Sequence, residues 1–152
     1  MTDSFPSRPA DFGELGLRHE VDVFVYRHAE GRPQYLLLMP EPRHEGAWRP
    51  VTGPVDWHED LRRAALRRVR SETGLAHPAD LVSPMPGLVE EVGDLRLVRW
   101  PVGFALPHPD LEPRPAAGLA AWRWTCFEEA LDVLEEGVHR QLLLRLHAYL
   151  AA

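Results

Sequence analysis

Between Gly53 and Leu75 the chain reads GPVDWHEDLRRAALRRVRSETGL, and no other stretch constrains the fold as much. From about His58 to Thr73 no Gly or Pro interrupts it, and Leu61, Ala65, Leu66 and Val69 recur at spacings of three to five. That is the period of a helix with one apolar stripe. Asp56 or His58 is placed to open the helix, Glu59 and Asp60 fall in a first turn where the dipole favours anions, and Gly74 stands where a helix stops. Residues three and four apart share a face, so Glu72 lies beside Arg68. Glu59 sits more than three turns earlier and reaches the same site only from the helix start or its loop.

The flanking sequence reads mainly as strands. In EVDVFVYR, at about 20–27, Val21, Val23 and Val25 alternate with Asp22, Phe24 and Tyr26, the period of a strand. A turn at HAEGRP leads to QYLLLM, whose unbroken apolar run predicts burial on both faces. Residues 41–55 read as a loop entering the helix. LVSPMPGLVEEV and LRLVRWPVGFAL read as two strands joined by a tight turn at Val92–Asp94. PHPDLEPRPAAGL, with four prolines, is expected to be an irregular surface loop. AAWRWT is a short strand, and Thr125 with Glu128 matches a capping box that starts a helix through about Glu135. A last amphipathic helix, at about 138–150, buries Leu142, Leu143, Leu146 and Leu150. Residues 1 to about 17 read as a loosely held arm, leaving a single domain over 18–152.

Composition narrows the function. With 152 residues, 45% of them hydrophobic, the chain can bury the core of one domain. It lacks the run of about 18 apolar residues that a membrane span needs. Its first residues lack the apolar segment of a secretory signal, and its one cysteine, Cys126, suits a reducing, cytoplasmic setting. A net charge of −6 argues against binding a nucleic acid polymer, whereas a local basic patch still admits a small nucleotide. All 17 strong cations are Arg, with no Lys, Asn or Ile anywhere. A GC-rich genome explains that bias, so a given Arg need not have been selected for its forked geometry.

Laid against the pattern Gx5Ex7REUxEExGU, where U is a bulky aliphatic residue, Gly53, Glu59, Arg67, Val69, Glu72, Gly74 and Leu75 all match. Ahead of it W-x-x-V-T-G matches as Trp48, Val51, Thr52 and Gly53. The stretch resembles the Nudix box, and the likeness covers roughly residues 18–150. It implies an α/β/α sandwich with a mixed central β-sheet. It also implies hydrolysis of a pyrophosphate linkage in a small nucleoside di- or triphosphate or related compound, with Mg²⁺ or Mn²⁺ held by carboxylates. The wording around Trp48 is most like the branch that cleaves pteridine or purine triphosphates.

The same resemblance assigns roles. Gly53 (through its carbonyl), Glu59, Glu72 and Glu90 are the candidate metal ligands, and Glu59, Arg67, Glu72 and Glu91 the candidate catalytic residues. Adjacent strand residues point to opposite faces, so only one of Glu90 and Glu91 faces a site. Trp48, Arg49 and Arg68 are the candidate substrate contacts, with Trp48 as a stacking platform for a base. His28, His44 and His58 match no zinc spacing, although His58 beside Glu59 is placed for acid–base work. Trp122 and Trp124 share one sheet face.

Two positions depart from the pattern. Arg68 stands where its first EUxEE carboxylate belongs and Ser71 where the second does. A cation a few ångströms from a metal costs it several kcal/mol, and Ser offers no anionic oxygen. Arg68 either neutralises substrate phosphate or pairs with Glu72. The expectation is a hydrolase weakened by the loss of two carboxylates, with metal bound weakly or not at all, as a monomer or homodimer. The alternative is a fold of the same kind that binds a nucleotide or a protein without cleaving it.

Overall fold

The computed structural model describes residues 17–43, 46–84 and 86–151. The N-terminal arm, His44 and Met85 lie outside them. Among the described residues, seven strands and three helices run in the order β1 (Leu17–Ala29), β2 (Arg32–Pro40), β3 (Val51–Pro54), α1 (Leu61–Thr73), β4 (Asp80–Val82), β5 (Leu88–Val92), β6 (Leu95–Ala105), β7 (Leu119–Cys126), α2 (Phe127–Val133) and α3 (Gly137–Ala151). The sheet order is β4-β6-β1-β2-β7, with β3 added on β1 and β5 on β6. β1 runs parallel to β6 and antiparallel to β2 and β3, so the sheet is mixed, as expected.

β1 is the spine because it is long enough to be shared. Its Tyr26–Ala29 end pairs with β2, its Glu20–Val23 stretch pairs with β3, and β6 pairs with it from Leu17 to Tyr26. Both faces are covered. Val21, Val23 and Val25 pack with Leu61, Ala64, Ala65 and Val69 of α1. Phe24 and Tyr26 pack with Leu37 of β2 and with Leu142, Leu143 and Leu146 of α3. This two-sided burial explains the unbroken apolar run of β2, buried from Tyr35 to Met39. Burial also raises the Tyr26 phenol to about 12.

Several boundaries differ from the sequence reading, each for a local reason. Helix α1 starts at Leu61, and its cap is Asp60, whose side chain accepts from the Arg63 amide at 2.7 Å. Asp56 and His58 belong to the preceding loop, and the first turn carries no acidic residue. The other end is as expected: Gly74 takes a left-handed φ of 73° and its amide donates to Arg70 O. The second capping box is shifted by one residue, from Thr125 and Glu128 to Cys126 and Glu129. Thr125 is fully buried and its hydroxyl donates to Tyr35 O, so it is committed to the sheet. Helix α2 then ends at Val133, short of Glu135. The segment 81–92 splits into β4 and β5, because its prolines, one at Pro84 and one at Pro86, cannot donate to a ladder. The loop at 41–55 contains β3, which the sequence reading missed. The proline-rich loop is largely exposed, yet its Arg114 and Ala116 amides donate to Thr73 O and Glu72 O at 2.7 and 3.0 Å. Those bonds satisfy carbonyls at the end of α1.

The α1 stripe is the sandwich's main contact on that face, with Leu61 fully buried. Leu61→Ala is expected to destabilise the fold by about 2–5 kcal/mol in urea unfolding. Leu144→Ala, at a position 48% exposed on α3, should stay within about 0.5 kcal/mol of the parent.

Candidate functional site

The last turn of α1 faces the strand that enters the box. Arg49 is held there by a two-way backbone bridge: Leu38 N donates to Arg49 O at 2.8 Å, and Arg49 N to Leu38 O at 2.9 Å. Directly paired residues share a face, so the Arg49 side chain sits with Leu38 on the α1 side of the sheet. From there its two terminal nitrogens donate to Glu72 Oε1 and Oε2, each at 3.1 Å. Arg68, one turn before Glu72, donates through Nη2 to Glu72 Oε2 at 3.1 Å and through Nε to Thr52 O at 3.0 Å. Glu72 itself is only 8% exposed. The expected Arg68–Glu72 neighbourhood is therefore present, and a second guanidinium completes it.

Arg68 also fills the space over Gly53. A Cβ built on Gly53 would stand 2.2 Å from Arg68 Nε and 2.5 Å from its Cδ. The glycine is needed here for close approach, since a side chain and the Arg68 stem cannot occupy the same volume.

Glu59 and Arg67 form a separate clamp. Arg67 Nε donates to Glu59 Oε2 at 2.8 Å and Nη2 to Oε1 at 2.9 Å, with a further bond to Pro54 O at 2.9 Å. The Asp56 amide also donates to Glu59 Oε1 at 2.9 Å. These bonds fasten the 54–59 loop to the helix. The Arg67 hydrogen bond, helped by the Asp56 amide and opposed by burial, holds the Glu59 carboxyl below its ordinary value.

The remaining sequence candidates lie elsewhere. Ser71 is exposed on α1. Glu90 accepts from Arg99 Nε at 3.1 Å within a charged group that includes Asp22 and α3, on the sheet face opposite α1. Glu91, its neighbour, is exposed. Trp48 packs with the α3-side cluster, and the Arg123 guanidinium lies 5.5 Å from its ring centre, so Trp48 and Arg49 serve opposite faces. Trp122 and Trp124 do share a face and pack on the α1-side cluster. His28 and His58 are exposed, each with its ring against an aromatic neighbour.

Mg²⁺ and Mn²⁺ are bound by several oxygens, with carboxylates supplying the charge. Among the described residues no group of three or more His, Cys, Asp and Glu comes together to hold a metal. The central carboxylate, Glu72, has both oxygens on guanidinium groups. The donors present do not fit a divalent cation. They form instead a cationic lining, two arginines around one carboxylate, of a kind suited to phosphate oxygens.

The sequence reading missed a second polar cluster. Asp22, fully buried, lies 2.6 Å from His139 Nδ1, while His139 Nε2 lies 3.0 Å from Glu136 Oε2. Arg99 Nη1 donates to Asp22 Oδ1 at 3.4 Å and to Glu20 Oε1 at 3.2 Å. The available signal was Asp22 itself, a carboxylate between apolar residues in a strand covered on both sides.

The geometry can be set beside known proteins. The chain matches the NUDIX domain family over residues 16–146. It belongs to the Nudix family. Comparison with curated protein sequences gives no match. Among solved structures, the chain is similar to an Ap4A hydrolase of C. elegans in a binary complex. That pair has 24% identity and a TM-score of 0.67, over 88% of this chain and 98% of the other. It is also similar to the dihydroneopterin triphosphate pyrophosphohydrolase of E. coli, with 20% identity, a TM-score of 0.72 and coverage of 86% and 95%. A third likeness is to the NUDIX domain of Shewanella oneidensis NrtR complexed with ADP ribose, with 16% identity, a TM-score of 0.69 and coverage of 87% and 87%. At these identities the likeness is one of fold.

Two outcomes follow from the Nudix geometry. Because the Glu59 carboxyl is held down in the folded state, its ion pair contributes stability above the ordinary carboxylate value of 4.5. That contribution is lost as pH falls through the depressed value. Glu59→Gln should therefore be less stable than the parent in urea at pH 7, with the gap closing on acidification. Gly53→Ala should cost about 1–3 kcal/mol by overpacking against Arg68. Adding Arg68→Ala should recover part of that cost, read as a coupling energy in a double-mutant cycle.

Proposed function

We propose that this Nudix domain recognises the pyrophosphate of a small nucleoside di- or triphosphate, or a related compound, and cleaves that linkage slowly. The observation that carries this reading is the Arg49–Glu72–Arg68 cluster at the box, two guanidinium groups beside the backbone of Thr52 and Gly53. Arg forks match phosphate oxygens in pairs. An incoming pyrophosphate shares Arg49 and Arg68 with Glu72 rather than displacing it, because Glu72 stripped of both guanidinium groups would be a buried charge left unpaired. Arg67 and Glu59 keep the approach loop in place rather than touching the ligand. Family membership supports hydrolysis of the bound linkage, and the replacement of two box carboxylates by Arg68 and Ser71 supports a low rate. Glu91, being exposed, has no assigned part in the step. A small polar ligand of this class also suits a cytoplasmic protein.

A second reading, a module that binds the nucleotide without cleaving it, is favoured by the occupancy of Glu72 Oε1 and Oε2 by guanidinium groups. The two are separated by a nucleotide panel followed both as thermal shift and as phosphate release, with and without Mg²⁺ or Mn²⁺. The hydrolase reading expects slow release together with a shift, whereas a shift with no release at any metal concentration leaves the binding module. No shift with any phosphorylated compound removes both.

Restoring the box by Arg68→Glu with Ser71→Glu changes the formal charge at those positions from +1 to −2. Phosphate release that depends on added Mg²⁺ should then rise. A folded double mutant that releases phosphate no faster would place the deficit outside the box.

A further inference from the structure

Helices α1 and α2 carry opposite charge. Helix α1 holds Arg62, Arg63, Arg67, Arg68 and Arg70 against a single carboxylate, Glu72, which is buried. Its outward side is therefore cationic, in a chain whose net charge is −6. Arg62, Arg63 and Arg70 are exposed there and Arg67 is half-buried. Residues three and four apart share a helix face, so Arg63, Arg67 and Arg70 form one stripe. Arg67 is taken by Glu59 and Asp56. Arg63 and Arg70 have no ion pair among the described residues.

The other face of the sheet carries the reverse. Helix α2 packs there, in the cluster of Ala130, Phe127 and Leu131 with the α3 leucines. From Phe127 to Glu136 the chain has Glu128, Glu129, Asp132, Glu135 and Glu136 and no cation, and each of these side chains is exposed. Glu129 is bridged to Arg123 at 3.2 Å, and Glu136 lies 3.0 Å from His139 Nε2. Asp132 and Glu135 have no ion pair among the described residues. Like charges gathered on one surface repel each other, which opposes the compact state. A surface with no use for such a field intersperses the two signs.

We infer that the exposed face of α1 docks on the α2 face of a second copy of this chain, so that molecules associate head to tail. Charge complementarity selects this occupant. The basic stripe and the acidic segment lie on opposite sides of the sheet, so they cannot meet within one molecule, and a second copy supplies the counterpart of each. The net charge of −6 repels the copies as wholes, whereas this orientation brings opposite signs together. Exposed ion pairs are individually weak and are screened by salt, so the association is reversible and confined to low ionic strength. A contact between two different surfaces leaves one of each free on every pair, so it is open-ended rather than closed at a dimer. Arg63, Arg70, Asp132 and Glu135 lie outside the Arg49–Glu72–Arg68 cluster, so the inference stands apart from the pyrophosphate reading.

The test is sedimentation velocity of the full chain at rising protein concentration, in about 10 mM and about 0.5 M NaCl. At low salt the weight-average mass should climb past that of a dimer, and at high salt it should return to that of one chain. Arg63→Glu with Arg70→Glu should stay monomeric at low salt, as should Asp132→Arg with Glu135→Arg. Mixed in equal amounts, the two variants should associate again. Both keep a negative net charge, so opposite net charges cannot draw the mixture together. A parent mass that stays at one chain in low salt overturns the inference without any variant. So does a mass that stops at the dimer, an association that survives in either variant, or a mixture of the two that stays monomeric.

Discussion

A carboxylate that is 8% exposed has to be paired, because leaving a charge buried and alone costs several kcal/mol. Glu72 meets that demand with two arginines from different parts of the chain, Arg68 one turn away on its own helix and Arg49 from the strand crossing beneath it. Much of the local structure follows. Arg49 ties the approach strand to β2 through its backbone and to α1 through its side chain. Arg68 ties α1 to Thr52 and uses the volume that Gly53 leaves open. The two arginines that pair Glu72 thus also fasten the helix to the sheet.

The second charged cluster lies on the other face of the sheet, against β1. In β1 the valines at 21, 23 and 25 meet α1, and Asp22, between the first two, turns toward α3. Burying Asp22 is tolerable because Arg99 and His139 both bond it. That network ends at Glu136. One strand therefore supports both charged clusters, the box arginines through β3 and the Asp22 network through α3. The long-range pairing of β1 with β6 keeps these parts in register.

The sequence by itself determined the sandwich, because periodicity is local. Leu61, Ala65 and Val69 recur at helical spacing, β1 and β6 alternate, and the apolar run of β2 requires cover on both sides. It also determined the box frame, since Gly53, Glu59, Arg67, Glu72 and Gly74 are set by spacing along one segment, and the Arg68–Glu72 pair, which is four residues apart. Boundaries were less legible where side-chain bonds decide them. The sequence pointed to Asp56 or His58 as the cap and to Asp60 as a first-turn residue, and the bond to the Arg63 amide is what makes Asp60 the cap. Thr125 lost its capping role to Cys126 because the sheet claims its hydroxyl.

The partners of charged groups across the chain were decided by tertiary structure alone. Arg49 meets Glu72 across 23 residues, and His139 meets Asp22 across 117. Nothing in local composition marks such a pair, the more so in a chain whose strong cations are all arginine. What selects them is the sheet: the bridge at Leu38 turns Arg49 toward α1, and the pleat of β1 turns Asp22 away from it. A one-residue change of register would reverse both.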